Sequence, residues 1–295
     1  MDMTKDISII ILSYNTKEIT QTCITYLVDH LRKHESGEGL RWEVLVVDNA
    51  STDGSDEMLR QMPVTPLLLD ENVGYAKANN IAVEQASGEF ILFLNSDVYV
   101  QDINFADLCS SLRTHSHWGA LTVRVNLEDG SLDKASHRGF PTPWRSFCYY
   151  AGLQYVAKKV PLLRSFFGGY HMLHKDLTVM HEVDVISGAF FLTRNDILKE
   201  VGAFDEDFFM YGEDIDLAYR IKHSGRSIIY NPQYHVLHLK YKSGIGTKDK
   251  TVQKKIRTHF FDAMKIFYKK HYEKKYPFFI NAIVYAVISF KMRRV

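Results

Sequence analysis

Four short polar clusters each follow an apolar run, and their residue types suit a polar, phosphate-bearing ligand. They are Ser13-Tyr14-Asn15, Asp48-Asn49 with the Ala50–Gly54 turn, Asp70 to Tyr75, and Asn95-Ser96-Asp97. One such cluster is a routine turn; four in series suggest a site. Carboxylates and amides can hold a base and a ribose, but they repel phosphate. A diphosphate here therefore needs a divalent cation on a carboxylate such as Asp97. A second acidic group, Glu213-Asp214, opens a helical stretch. The helix dipole keeps a carboxylate at that position ionised, where it suits a general base, although acids there also serve simply as caps. No GxGxxG follows the first apolar run and GxxxxGK[ST] is absent, so neither a dinucleotide site nor a P-loop is supported. The 13 histidines form no HExxH, and the 3 cysteines (Cys23, Cys109, Cys148) form no CxxC, which excludes a zinc ribbon or a disulfide scaffold.

The elements that must carry these clusters follow from the apolar pattern. Continuous apolar runs at Ile7–Leu12, Glu43–Val47, Leu67–Leu69 and Phe90–Leu94 predict strands. Helical stretches at about 16–33, 55–61 and 76–86 separate them, which predicts βαβαβαβ and an α/β fold with a parallel sheet covered on both faces. In such a sheet ligands bind beyond the carboxyl ends of the strands, where all four clusters fall. From about Asn126 to Glu182 the chain is irregular, aromatic and punctuated by Gly and Pro, as in FPTPWRSFCYY and PLLRSFFGGY. A long insertion of this kind is usually functional. A strand over 183–192, helices over 195–201 and 212–223, and a strand over 227–230 are expected after it.

The motifs SYN, VVDNASTDGS, NVGYAKANN, LFLNSD and GAFFLTRNDILKEVGAFDEDFFMYGEDIDLAYRIKHSG together resemble glycosyltransferase family 2, the inverting GT-A type. The resemblance covers roughly residues 7–245, and FDEDFFMYGEDIDL is most similar to bacterial rhamnosyltransferase-like members. It implies a GT-A fold: a Rossmann-like, mostly parallel sheet with helices on both faces. It divides residues 1–245 into a donor half (about 1–125) and an acceptor half (about 126–245). It also implies donor contacts from Ser13, Tyr14, Asn15, Asp48, Asn49, Lys77, Asn95, Ser96 and Asp97. Asn95-Ser96-Asp97 stands where the family has DxD, with Asn replacing the first acid, so Mg²⁺ or Mn²⁺ would rest mainly on Asp97. His238, followed by Lys240, Ser243 and Gly244, is a further metal ligand on that resemblance, or else a structural histidine. Asp214 matches the catalytic base, and Glu213 and Trp144 fall to the acceptor side or to its support. The implied reaction moves a sugar, L-rhamnose among the options, from a dTDP- or UDP-sugar to a glycan or polyprenyl-diphosphate-linked acceptor in cell-surface polysaccharide synthesis. A non-catalytic glycan- or nucleotide-sugar-binding protein of the same fold is the alternative, and the presence of both Asp97 and Asp214 speaks against it.

Composition fits that reading. The chain is 46% hydrophobic and 24% charged, which is globular and excludes disorder or collagen. A net charge of +1 hides an asymmetry, because residues 240–295 hold 15 Lys/Arg against 3 Asp/Glu. Such a basic tail meets an anionic partner. It lacks any RNP or zinc motif, so nucleic acid is not expected. Residues 246–295 form the tail proper. It reads as an amphipathic helix over 250–276, with Val252, Ile256, Phe260, Met264 and Phe267 on one face, broken by Pro277. The apolar stretch 278–290 follows, with a polar stripe at Asn281, Tyr285 and Ser289. That pattern suits a helix lying on an anionic membrane surface, with docking on the body or a homodimer contact as the rivals. The acidic, polar start at MDMTKD reads as no signal peptide, and the expected location is cytoplasmic, peripheral at the inner face of the membrane.

Overall fold

The computed structural model describes residues 5–240 and 250–293, so Ser243 and Gly244 lie outside the described residues. The chain opens with β1 (Lys5–Ser13), α1 (Lys17–Glu38), β2 (Trp42–Asp48), α2 (Ser55–Arg60), β3 (Thr65–Leu68), α3 (Tyr75–Gln85) and β4 (Gly88–Asn95). It continues with β5 (Val98–Asp102), α4 (Phe105–Thr114), β6 (Trp118–Asn126), α5 (Pro143–Tyr150), α6 (Leu153–Lys159) and α7 (Arg164–Phe167). Then come β7 (His181–Val183), β8 (Phe190–Arg194), α8 (Asn195–Val201), α9 (Glu213–His223), β9 (Ser227–His238), α10 (Lys250–His271) and α11 (Phe278–Arg293).

The nine strands form one sheet in the order β3-β2-β1-β4-β8-β6-β9-β5, with β7 added on β9. The β3-β2-β1-β4 side is parallel, as the βαβαβαβ pattern requires, and β1 lies inside it with Ile7, Ile9, Ile10 and Ile11 fully buried. β8 runs antiparallel between β4 and β6, which joins the two halves of the chain in a single sheet. Alternate residues of β1 and β4 feed two apolar layers. Ile7, Ile9 and Ile11 pack with α1, α2 and α4 residues such as Leu27, Leu59 and Leu108, whereas Ile10 and Phe93 pack with Ala78, Ile197 and Leu217 of α3, α8 and α9. Helices therefore cover both faces of an α/β sheet.

The second half differs from its expected pattern in two places. The single strand expected over 183–192 is two, β7 and β8, because the chain turns at Gly188, where it passes beside Tyr75. The strand expected to end at Tyr230 runs on to His238. Pro232 lacks an amide donor, and the register against β6 shifts between Val123/Asn231 and Arg124/His235. A bulge absorbs the proline there, so the strand survives a turn-like sequence.

The tail is folded onto the body. Phe267 and Tyr268 of α10 and Tyr272 just after it bury with Phe208 and Tyr219 in a third apolar cluster. Asp216 of α9 is fully buried and accepts from Arg220 (2.7 Å), Lys270 (2.8 Å) and His271 (2.6 Å). Of the face expected on α10, Phe267 is docked on the body. Phe260 is exposed, and the side chain of Val252 lies outside the described residues. The polar stripe of α11 faces α10. Asn281 bonds the Tyr268 hydroxyl (2.6 Å) and Tyr285 packs edge-on against the Tyr268 ring, so the polar side is inside and the apolar side outside.

Candidate active site

Each strand of the parallel side releases its polar cluster at the same edge of the sheet. Ser13 and Asp48 are register partners at the ends of β1 and β2, and Asn95 ends β4 beside Leu12. The loops are then laced together by side chains. Asn15, in the left-handed region at φ 53°, accepts from the Thr52 amide (2.8 Å), while its own amide donates to Ser51 Oγ (2.8 Å). Asn49 donates to Asn72 Oδ1 (3.0 Å) and accepts from the Val73 amide (2.9 Å). Ser13 Oγ is buried against Thr16 and Thr20. These three side chains are committed to shaping the cleft, while Tyr14 and Lys77 are exposed. Asp48 is different. Its Oδ2 accepts from the Ser51 amide (3.1 Å), yet its buried Oδ1 has no hydrogen-bond partner among the described residues. A buried acceptor without a donor is costly unless a ligand satisfies it.

Across the cleft, Asp97 and Ser96 are buried after β4. Asp97 Oδ1 lies 3.1 Å from Nε2 of His238, which the extended β9 delivers opposite Val98. The other imidazole nitrogen meets Asp133 Oδ2 at 2.9 Å, and Lys240 Nζ reaches Asp133 Oδ1 at 2.5 Å. Burial opposes a charged imidazole, but the hydrogen bonds it donates to Asp133 and Asp97 outweigh this and hold His238 up at about 9. Burial also works against the Asp133 carboxylate, and bonds from His238 and Lys240 overcome it and hold this acid well below its usual range. A buried carboxylate and an imidazole whose far nitrogen is held by a second carboxylate match the donors of a divalent cation. Among the described residues no group of three or more His, Cys, Asp or Glu is placed to hold a metal ion.

The acidic pair sits at the start of α9, where Gly212 (φ 84°) precedes Glu213. Both side chains are buried. Asp214 Oδ2 accepts from Arg138 Nη2 (3.0 Å), and its Oδ1 accepts from the Ile215 amide (2.8 Å). Burial pushes both carboxyls up. The Arg138 guanidinium opposes this at Asp214, whereas the charge of Asp214 adds to the upward push on Glu213, whose buried Oε2 has no hydrogen-bond partner among the described residues. Tyr75 joins the two acidic regions. Its hydroxyl donates to Asn95 Oδ1 (3.2 Å), and burial followed by the charges of Glu213, Asp214 and Asp97 raises it well above its usual value. Gly188 leaves room for that hydroxyl, since a Cβ there would lie 2.2 Å from it.

Tyr75 thus links Asn95 with Asp97, Glu213 and Asp214, His238 bonds Asp97, and Asp48 stands at the same sheet edge two strands from Asn95. Trp144 falls elsewhere. Its indole N–H donates to the Phe166 carbonyl (3.1 Å), and its ring packs on Phe147, Phe166 and Phe167. Sequence reasoning missed Asp133 and Arg138, which lie in the irregular stretch after β6, and also Tyr75 as a site residue. Asp216 bonds Arg220 on its own helix and is also the buried anchor of α10.

A family model, "Glycosyl transferase family 2", matches residues 8–202. The chain belongs to this family. It is 26% identical over 239 residues to "O-antigen biosynthesis protein RfbC" of Myxococcus xanthus, covering 80% of this chain and 17% of that one. It is 29% identical over 210 residues to "N-acetylglucosaminyl-diphospho-decaprenol L-rhamnosyltransferase" of Mycobacterium tuberculosis, covering 67% of this chain and 66% of the relative. The chain therefore spans less than two thirds of the length of either relative. In fold it is similar to the mannosyltransferase PcManGT from Pyrobaculum calidifontis, solved in complex with GDP-Man and Mn²⁺. That likeness has a TM-score of 0.54 at 18% identity and covers 91% of this chain and 66% of the other. The GT-A fold expected from the motifs is thus found.

Proposed function

We propose that this family 2 member transfers a glycosyl group, with inversion, from a nucleoside-diphosphate sugar to a hydroxyl of a glycan or lipid-linked glycan in cell-surface polysaccharide synthesis. The observation that carries this reading is the single cleft in which the Asp214–Arg138 pair faces Tyr75, Asn95 and Asp97. The name of the Mycobacterium tuberculosis relative supports L-rhamnose as the sugar and a polyprenyl-diphosphate glycan as the acceptor.

Each residue then has a chemical task. Asp48 Oδ1 accepts from the nucleoside, because it is the buried acceptor still lacking a donor. Asp97 and His238 hold Mg²⁺ or Mn²⁺; an imidazole beside a carboxylate suits Mn²⁺ as well as or better than Mg²⁺. When bound, the ion offsets the charge of the diphosphate leaving group. Asp214 takes the proton of the acceptor hydroxyl as that oxygen bonds to the anomeric carbon and the bond to the diphosphate breaks. Arg138, 3.0 Å from Asp214 Oδ2, counters the upward push of burial and favours the ionised form that a base needs. This is general-base catalysis in a single displacement.

The test is a panel of nucleotide sugars scored by thermal shift with and without Mn²⁺, then by transfer. A donor that binds the folded state raises the melting temperature. With the donor so found, Asp214→Asn keeps its shape and loses its proton acceptor, so turnover should fall about 10²–10⁴-fold with donor binding retained. Near-normal transfer by that variant would remove Asp214 from its role.

A further inference from the structure

The outer surface of the tail and the irregular insertion share one feature that the transfer chemistry leaves unused. On α11, Phe279, Ile283, Val287 and Phe290 recur along one side and are exposed. On the insertion, Phe147 of α5, Leu162 between α6 and α7, and Phe166 of α7 are exposed as well, Leu162 to 88%. The two patches adjoin. Lys291 Nζ of α11 lies 4.1 Å from the centre of the Tyr150 ring at the end of α5, and the Tyr150 hydroxyl is 4.0 Å from Met264 Sδ of α10. Isolated exposed apolar side chains are ordinary, but a contiguous group of large ones marks an interaction surface.

We infer that α5–α7 and the outer side of α11 together form a bilayer-docking surface that inserts into the interface of an anionic membrane. Charge selects this occupant. Residues 143–168 contain Arg145, Lys158, Lys159 and Arg164 and no Asp or Glu, and Lys274 and Arg293 flank α11. Lys158, Lys159, Lys274 and Arg293 are exposed. An apolar centre within a mainly positive rim, with Glu273 beside Lys274, suits anionic headgroups. A second copy of the same surface would bring like charges together. No helix among the described residues is long and apolar enough to cross a membrane. At about 1.5 Å per residue, α11 is roughly 24 Å long, short of a hydrocarbon core of about 30 Å, so it lies in the plane of the interface.

The surface is also tied to the site. Phe140 precedes α5 and packs edge-on against Tyr219 of α9, whose first turn carries Asp214, and Arg138 lies two residues before Phe140. Docking would hold the acceptor side of the cleft toward the lipid. This part rests on the proposed transferase reading, whereas membrane binding itself does not.

The experiment is flotation of the full-length protein at low salt with vesicles of phosphatidylcholine plus phosphatidylglycerol, and with phosphatidylcholine alone. Two double variants, Leu162→Glu/Phe166→Glu and Ile283→Glu/Val287→Glu, change exposed side chains only, and circular dichroism and melting temperature check their folding. The wild type should float with the anionic vesicles and much less with the neutral ones, and each variant should lose about tenfold or more of its bound fraction. Flotation untouched by the Leu162/Phe166 variant would overturn the joint surface. Absence of flotation by the wild type would overturn docking altogether, as would a dimer in light scattering that the Ile283/Val287 variant dissociates. Transfer to a water-soluble acceptor is read in parallel. Its loss in the wild type would count against the transferase reading and leave the flotation result standing.

Discussion

Asp133 reaches Nδ1 of His238 at 2.9 Å across 105 residues of chain, and so determines which imidazole nitrogen faces Asp97. The same carboxylate accepts from the Ala135 amide (3.0 Å) and from Lys240, so it cannot rotate away. A carboxylate that orients a metal-binding imidazole commonly accounts for 10–100-fold in metal affinity.

Asp133→Asn is therefore expected to weaken Mn²⁺ binding by about 10–100-fold in the presence of a nucleoside diphosphate, read by titration calorimetry rather than by turnover. Lys240→Met serves as the control for the neighbouring ion pair. Undiminished Mn²⁺ affinity in Asp133→Asn would make His238 a structural residue instead of a ligand.

Gly188 gives a steric test of the centre of the cleft. A methyl group there would meet the Tyr75 hydroxyl at 2.2 Å and the ring carbon behind it at 3.1 Å. Gly188→Ala should displace Tyr75 from Asn95 and destabilise the protein by about 1–3 kcal/mol. Donor affinity should fall as well, since Tyr75 lies among the site acids. Adding Tyr75→Phe removes the nearest clash and should return part of the stability. If the double variant is less stable than the single one by the full cost of Tyr75→Phe alone, the two positions are not coupled.

The donor side of the fold was legible because its strands are unbroken runs of Ile, Val, Leu and Phe, buried on both faces, and its helices keep a helical period. The polar clusters could be placed because each must emerge where its strand ends. Beyond β4 those signals fail for particular reasons. Asn231-Pro232 is a turn signature by local chemistry, yet β9 passes through it on a bulge and carries His238 to Asp97. Asp133 and Arg138 sit in a stretch with no periodicity, and their partners lie 105 and 76 residues away, a distance that local pattern cannot bridge. In α11 the stripe at Asn281 and Tyr285 was visible, but not the direction it faces. That depends on the Tyr268 hydroxyl waiting on α10.

His137 sets a pH dependence of stability. It is buried, and its Nε2 lies 2.7 Å from Nε2 of His181, whose Nδ1 bonds the Val179 carbonyl (2.7 Å). Burial, followed by repulsion from His181, lowers His137 from the ordinary 6.5 to about 4. The folded state thus holds this ring neutral while the unfolded chain takes up a proton below about pH 6.5. Its contribution is intact above pH 6.5 and is lost progressively as pH falls from 6.5 to 4, by up to about 3 kcal/mol. Chemical denaturation of the wild type and of His137→Gln across pH 4–7 checks this. The variant should show a shallower loss over that window; equal slopes would place the titration elsewhere.

α10 packs directly on α9, the helix that carries Asp214, the proposed base. Phe267 is buried among Tyr219, His271 and Tyr272, and Asp216, two residues after Asp214, receives Lys270 and His271. Removing the ring leaves a cavity beneath α9, and Phe→Ala changes at such sites cost about 3–5 kcal/mol. Phe267→Ala should therefore lower stability by about that amount, measured by urea denaturation. It should also reduce transfer to a soluble acceptor at temperatures where the variant is still folded, because α9 loses the support that positions Asp214. A peripheral α10 would give a different result: a cost under about 1 kcal/mol, as for surface substitutions, and unchanged transfer. Since the ion pairs at Asp216 are separate from the ring, Asp216→Asn provides a second probe of the same contact. It leaves the packing in place but strips the charge that holds Lys270 and His271 against α9. If both variants retain full stability, α10 does not support the site and its docking on α9 has no part in catalysis.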